Sequence, residues 1–126
     1  MAALVIGLGG AIGAVARYLL TDWVRAIAGD AFPWGTLAVN VLGSFLIGFM
    51  LLWLQSVAPS TQARQFAVIG VLGSFTTFST FSYETVALVR TGEIWRAGGY
   101  ATGSMALGLI GVLAGAAVAA WMTGRG

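Results

Sequence analysis

The sequence predicts an all-α membrane protein of four transmembrane helices with a break in the third. Three observations carry this. Charged residues make up 8% of the 126-residue chain and hydrophobic residues 59%, whereas an ordinary soluble domain is about 25% charged. The ten charges leave four long apolar runs between them, each near the roughly 20 residues that cross a bilayer. Inside the third run lies GSFTTFSTFS, residues 73–82, in which six side chains carry hydroxyls and none is charged.

The first span is expected over about 3–21. Its opening, MAALVIGLGGAIGA, has small residues but no basic region ahead of the apolar stretch, so it reads as a span and not as a cleaved leader. TDWVRAIAGDAFPWG follows and reads as a loop with interfacial Trp anchors. The second span is expected over 35–57. SVAPSTQAR, with Pro59, reads as a tight turn. The third span is expected over 65–89, RTGEIWR turns the chain again, and the fourth is expected over 97–123. The chain thus forms one four-span domain over 1–126, without repeat or linker.

Glycines four apart let helices approach closely in lipid. The pairs Gly9 and Gly13, Gly99 and Gly103, and Gly111 and Gly115 have that spacing. Four short helices enclose little interior, which favours an oligomer. Orientation follows the Lys/Arg bias between the two sides. The side holding the termini has Arg64 and Arg125, the other Arg25, Arg90 and Arg96. So small a bias is compatible with insertion both ways up, hence dual topology and an antiparallel dimer.

The chain has no Cys, His or Lys. Disulfides, thiolate metal sites and Ser-His-Asp chemistry have no material, and no nucleophile–base pair can be assembled, so an enzyme is not expected. Six arginines against four acids, with a pI near 9.7, are too few and scattered for nucleic-acid binding.

The polar segment GVLGSFTTFSTFSYETV, residues 70–86, is a poor continuous helix. Hydroxyls can bond the local backbone and open a helix. A break at membrane depth is tolerated only within protein or beside an aqueous cavity, and such breaks form ion sites. The bland alternative is that Ser and Thr bond neighbouring helices; six in ten residues is dense for that role. Asn40 lies six residues into the second span, either as a packing hydrogen bonder or as two donors for an anion. Phe75, Phe78 and Phe81 are core or lipid-facing rings, or rings whose positive edges meet an anion. Such groups, with no full positive charge, would bind an anion weakly enough to release it. Arg17 either reaches the interface or draws anions into a vestibule. Glu84 is either a proton or cation site or an arginine's partner. Tyr100 and Ser104 share a helix face with hydroxyls.

The stretch GVLGSFTTFSTFSYETV, with GGAIGAVARYLL in the first span and WGTLAVNVLGSFLIG in the second, resembles the Fluc (CrcB) family of small fluoride channels over nearly the whole chain. The resemblance implies an antiparallel, dual-topology homodimer in the bacterial plasma membrane. Its two pores would conduct fluoride passively out of the cytoplasm and so limit fluoride toxicity. It implies a structural sodium ion at the dimer centre, held by the backbone carbonyls of Gly73 and Thr76. It maps the pore phenylalanines onto Phe78 and Phe81 and the pore asparagine onto Asn40. The hydroxyl track maps onto Ser79 and Thr80, then Tyr100 and Ser104, and the first-span arginine and the following acid onto Arg17 and Glu84. The chain departs from the pattern at Ser74, where the family often has a second glycine, at Phe75 in place of leucine, and at Gly108, where relatives can carry serine. A small four-span exporter of cationic compounds is the rival transporter, but it needs an acid deep in the first span, where this chain has Arg17. A membrane assembly protein with a hydroxyl-bonded core is the other alternative.

Overall fold

The protein is seen in a computed structural model that describes residues 1–125. Its regular elements are all helical: α1 (Ala2–Ala28), α2 (Trp34–Val57), α3 (61–75), α4 (Phe78–Arg90) and α5 (Ile94–Met122). Four spans are long and apolar enough to cross a bilayer, the third being α3 and α4 together, Thr61–Arg90. The protein is a multi-pass membrane protein.

Helix ends follow local chemistry. α1 stops at Gly29, whose φ of 79° suits glycine. α2 begins after Pro33 and ends at Ala58, a non-glycine residue at φ 44°, just before Pro59. The Ser60 hydroxyl accepts from the Ala63 N–H at 3.2 Å and caps α3. Gly92, at φ 82°, turns α4 into α5. The structure departs from the sequence expectation at α1. That helix runs on to Ala28 and takes in all of TDWVRAIA, which reads as loop in the sequence. Asp22 and Arg25 are exposed there, so a charged helical turn meets water without burying either group.

Within α3, residues Gln65–Leu72 wind more widely than an α-helix. The Gly73 N–H, for instance, reaches back to the Val68 carbonyl, five residues away. This stretch lies against α1, where the backbones nearly touch. A Cβ on Gly9 would sit 2.5 Å from the Phe66 carbonyl oxygen, and one on Gly13 would overlap the Val71 carbonyl. The other close pair is α2 with α5, where added carbons on Gly48 and Gly115 would overlap the carbonyls of Val112 and Phe45. So Gly9, Gly13, Gly111 and Gly115 sit at helix crossings. Gly99 and Gly103 do not; their missing side chains face open space, because α5 meets α2 further along.

The break changes the packing partner of the third span. α3 packs on α1, whereas α4 packs on α5. The buried core is small: Val39, Leu54, Leu72, Phe75, Leu88, Ala97, Tyr100 and Ala119. Many large apolar side chains are outside, among them Leu8, Leu19, Ile110 and Leu113. In a bilayer that exposure costs nothing, because lipid tails are as apolar as leucine.

Candidate functional site at the break in the third span

The break is two residues long. Thr76 (φ −79°, ψ 156°) and Thr77 (φ −148°, ψ 115°) are extended between the helical residues Phe75 and Phe78. The freed groups of the two threonines find partners, whereas the Gly73 carbonyl loses its helical one. The Thr77 hydroxyl caps α4 by accepting from the Thr80 N–H at 3.2 Å, and it donates to the Thr80 hydroxyl at 3.0 Å. The Ser79 hydroxyl is 3.4 Å from it. From α2, Asn40 meets the Thr77 backbone twice: its Nδ2 donates to the Thr77 carbonyl at 2.9 Å and its Oδ1 accepts from the Thr77 N–H at 2.8 Å. From α1, the Arg17 Nη1 donates to the Thr76 carbonyl at 3.4 Å. The Thr76 hydroxyl bonds back to the Leu72 carbonyl at 3.3 Å. Gly43 makes room for the bend: a Cβ there would overlap the Thr76 methyl and lie 3.2 Å from the Phe75 ring.

A second cluster lies along α4. Glu84 accepts from the Thr36 hydroxyl at 2.9 Å and from the Tyr100 hydroxyl at 2.7 Å, one on each oxygen. No arginine pairs with Glu84 within the described residues of this chain. Among the described residues the ion pairs are Arg25 with Asp30 and Arg96 with Glu93, both exposed. Aromatic rings join the two clusters. Phe78 and Phe81 have centroids 5.7 Å apart, Phe81 and Tyr100 5.1 Å, and Tyr100 and Phe32 meet edge-on at 5.4 Å.

The residues singled out from sequence therefore divide. Arg17, Asn40, Thr76, Ser79 and Thr80 gather at the break, and Glu84, Tyr100 and Phe81 gather one to two turns along. Phe75 is buried in the core against Gly43. Phe78 points outward with 79% of its surface exposed, and Gly73, Ser79 and Thr80 are exposed too. Ser104 joins neither network; its hydroxyl is buried without a partner. Three contributors escaped sequence reading: Thr77, Thr36 and Gly43. Thr36 and Gly43 fall four before and three after Asn40 on α2, which places all three on one helix face, and that spacing was the available signal.

An open cavity of ≈ 610 Å³ enters from the end that carries the α1–α2 and α4–α5 connections. Thr36, Glu84, Leu88, Trp34 and Arg96 are among its lining. At its rim Arg96 donates to the Ala31 carbonyl at 3.0 Å and to Glu93 at 2.8 Å.

Residues 4–116 match the model of a family described as CrcB-like protein, Camphor Resistance (CrcB). A protein of Thermus thermophilus named "Fluoride-specific ion channel FluC" is 53% identical over 85% of this chain and 84% of its own length. One of the same name from Geobacter sulfurreducens is 53% identical over 89% of this chain and 91% of its own. A third, from Rhizobium meliloti, is 46% identical over 91% and 93%. With a family model spanning most of the chain and relatives this similar along nearly their whole length, the chain is a member of the CrcB family.

Proposed function

We propose that the protein is a fluoride-selective channel of the bacterial cell membrane that lets fluoride leave the cytoplasm passively. Two copies pack antiparallel, with two pores and a sodium ion at the centre. The observation that carries this reading is the outward face of α4 at the break. The Phe78 ring and the uncharged hydroxyl residues Ser79 and Thr80 lie exposed there, on a chain that spans lipid. Hydroxyls facing hydrocarbon are costly when incompletely bonded, and those of Ser79 and Thr80 meet only the Thr77 hydroxyl, so this face belongs against protein or water. The names of the relatives support fluoride as the ion. The open glycine face at Gly99 and Gly103 would let a second copy approach closely.

A small, strongly hydrated anion needs convergent donors to replace its water. Ser79 and Thr80 hydroxyls supply them beside the N-terminal, positive end of α4. Phe78 and Phe81 offer ring edges at successive stations. Asn40 keeps one amide hydrogen beyond the one given to Thr77. The unpartnered Ser104 hydroxyl and Tyr100 continue the track along α5. Glu84 is screened on both oxygens by hydroxyl donors, which weakens its repulsion of an anion passing along that track. Arg17, bonded to the Thr76 carbonyl, holds the break and leaves no full positive charge among the pore side chains, so release stays fast.

The break also fits a cation. The Thr77 N–H turns to Asn40 and away from the carbonyl of Gly73, its partner had the helix continued. Gly73 is exposed, and the Thr76 carbonyl, with two lone pairs, keeps one beyond Arg17. These two carbonyls would hold sodium, together with the same pair from the second copy. Bound there, sodium supplies positive charge to the negative end of α3 and ties the copies together. The test is reconstitution into liposomes loaded with fluoride: efflux on a fluoride electrode supports the reading, and a membrane that stays sealed rules it out.

A further inference from the structure

We propose that Asn40 is the positioning residue of the break, acting through the Thr77 backbone and not mainly on the ion. Its amide oxygen and one amide hydrogen are both committed to Thr77, at 2.8 and 2.9 Å. That pairing is the one a neighbouring β-strand would give an extended residue, supplied here by a single side chain. It does two things. It takes the Thr77 N–H out of the helical ladder, which leaves the Gly73 carbonyl without its helical partner. It also fixes the residue from which α4 starts, so Phe78 and Phe81, one and four residues on, inherit their positions from it.

The placement on α2 supports this. Thr36, Asn40 and Gly43 lie on one face of that helix and each meets the broken span. Thr36 holds Glu84, Asn40 holds Thr77, and Gly43 yields space to Thr76. Thus α2 acts as a rail along which the break is held.

The inference rests on the fluoride reading only where flux is its readout. The experiment is a double-substitution cycle in liposomes: N40A, a backbone ester that deletes the Thr77 N–H, and both together. The ester, which removes one buried hydrogen bond, is expected to slow fluoride efflux by roughly tenfold, and N40A, which removes two, by at least as much. Together they are expected to be little slower than the slower single change, because the ester removes an N–H that N40A has already left unpaired and otherwise only weakens the Thr76 carbonyl. Costs that multiply overturn the proposal. In N40D the carboxylate still accepts from Thr77, so the ester's cost returns; an ester that costs nothing in that background also overturns it, and this pair decides if N40A fails to assemble. A wild-type chain that carries no fluoride ends the functional reading alone. Hydrogen exchange at the Thr77 amide then tests the clamp directly, with exchange roughly tenfold faster in N40A than in wild type expected and equal exchange contradicting it.

Discussion

The Tyr100 hydroxyl donates to Glu84 at 2.7 Å, from a ring that is 1% exposed. With Thr36 on the other oxygen, a carboxylate in a membrane span is held by two neutral donors and, among the described residues, pairs with no cation. Tyr100→Phe removes one of them and leaves a part-buried charge under-bonded. We expect a loss of about 1–3 kcal/mol, because an orphaned buried acceptor costs that much. Thermal unfolding in detergent measures it, and an unchanged midpoint argues that the bond contributes nothing.

Gly43 is expected to be intolerant of even one carbon. The Cβ of Gly43→Ala falls on the Thr76 methyl, so the break or α2 must shift. Overpacking of this kind costs about 1–3 kcal/mol. Both the unfolding midpoint and fluoride efflux should fall. By contrast, Gly99→Ala meets open space within one chain and should leave the stability of the isolated protomer as it was.

Phe78→Ile keeps apolar bulk but removes the ring. Because Phe78 is 79% exposed on the single chain, its loss should barely touch the protomer's core. Efflux is expected to drop while the assembled form, read by cross-linking or size exclusion, persists. Unchanged efflux takes Phe78 out of the pore.

Arg96 is expected to matter little. Its pair with Glu93 is exposed, and such pairs contribute at most about 1 kcal/mol. Arg96→Ala should unfold near the wild-type temperature, with any difference shrinking in high salt. A large loss would instead mean that its bond to the Ala31 carbonyl anchors the α1–α2 connection.

Sodium exchange tests the cation site independently of the pore. Replacing sodium by a bulky organic cation is expected to weaken assembly or slow efflux. If neither changes, Gly73 and Thr76 are not its ligands.

Much of this was legible in the sequence. The spacing of charges marked four spans, and the density of uncharged hydroxyls marked the break, because no other solvent and no continuous helix suits such runs. Gly9, Gly13, Gly111 and Gly115 announced helix crossings by their spacing. Gly99 and Gly103 have the same spacing but no neighbour in the chain, since spacing says which face is smooth and not what covers it. The extra length of α1 was hidden by Asp22 and Arg25, which read as loop but sit exposed on the last turns of that helix. Which threonine leaves the helix was hidden as well. Thr76, Thr77 and Thr80 look alike in sequence, yet Thr76 and Thr77 leave the helix and Thr80 does not, with Asn40, 37 residues away, holding the Thr77 backbone. The partners of Glu84 depend likewise on Thr36 and Tyr100 arriving from two other helices.

The central claim is that this uncharged polar face at a helix break passes fluoride. The most direct measurement follows fluoride and chloride efflux in parallel from identical liposomes carrying the purified protein. Rapid fluoride release is expected, with chloride retained at the level of protein-free liposomes. Fluoride held inside, or both ions released alike, would contradict it.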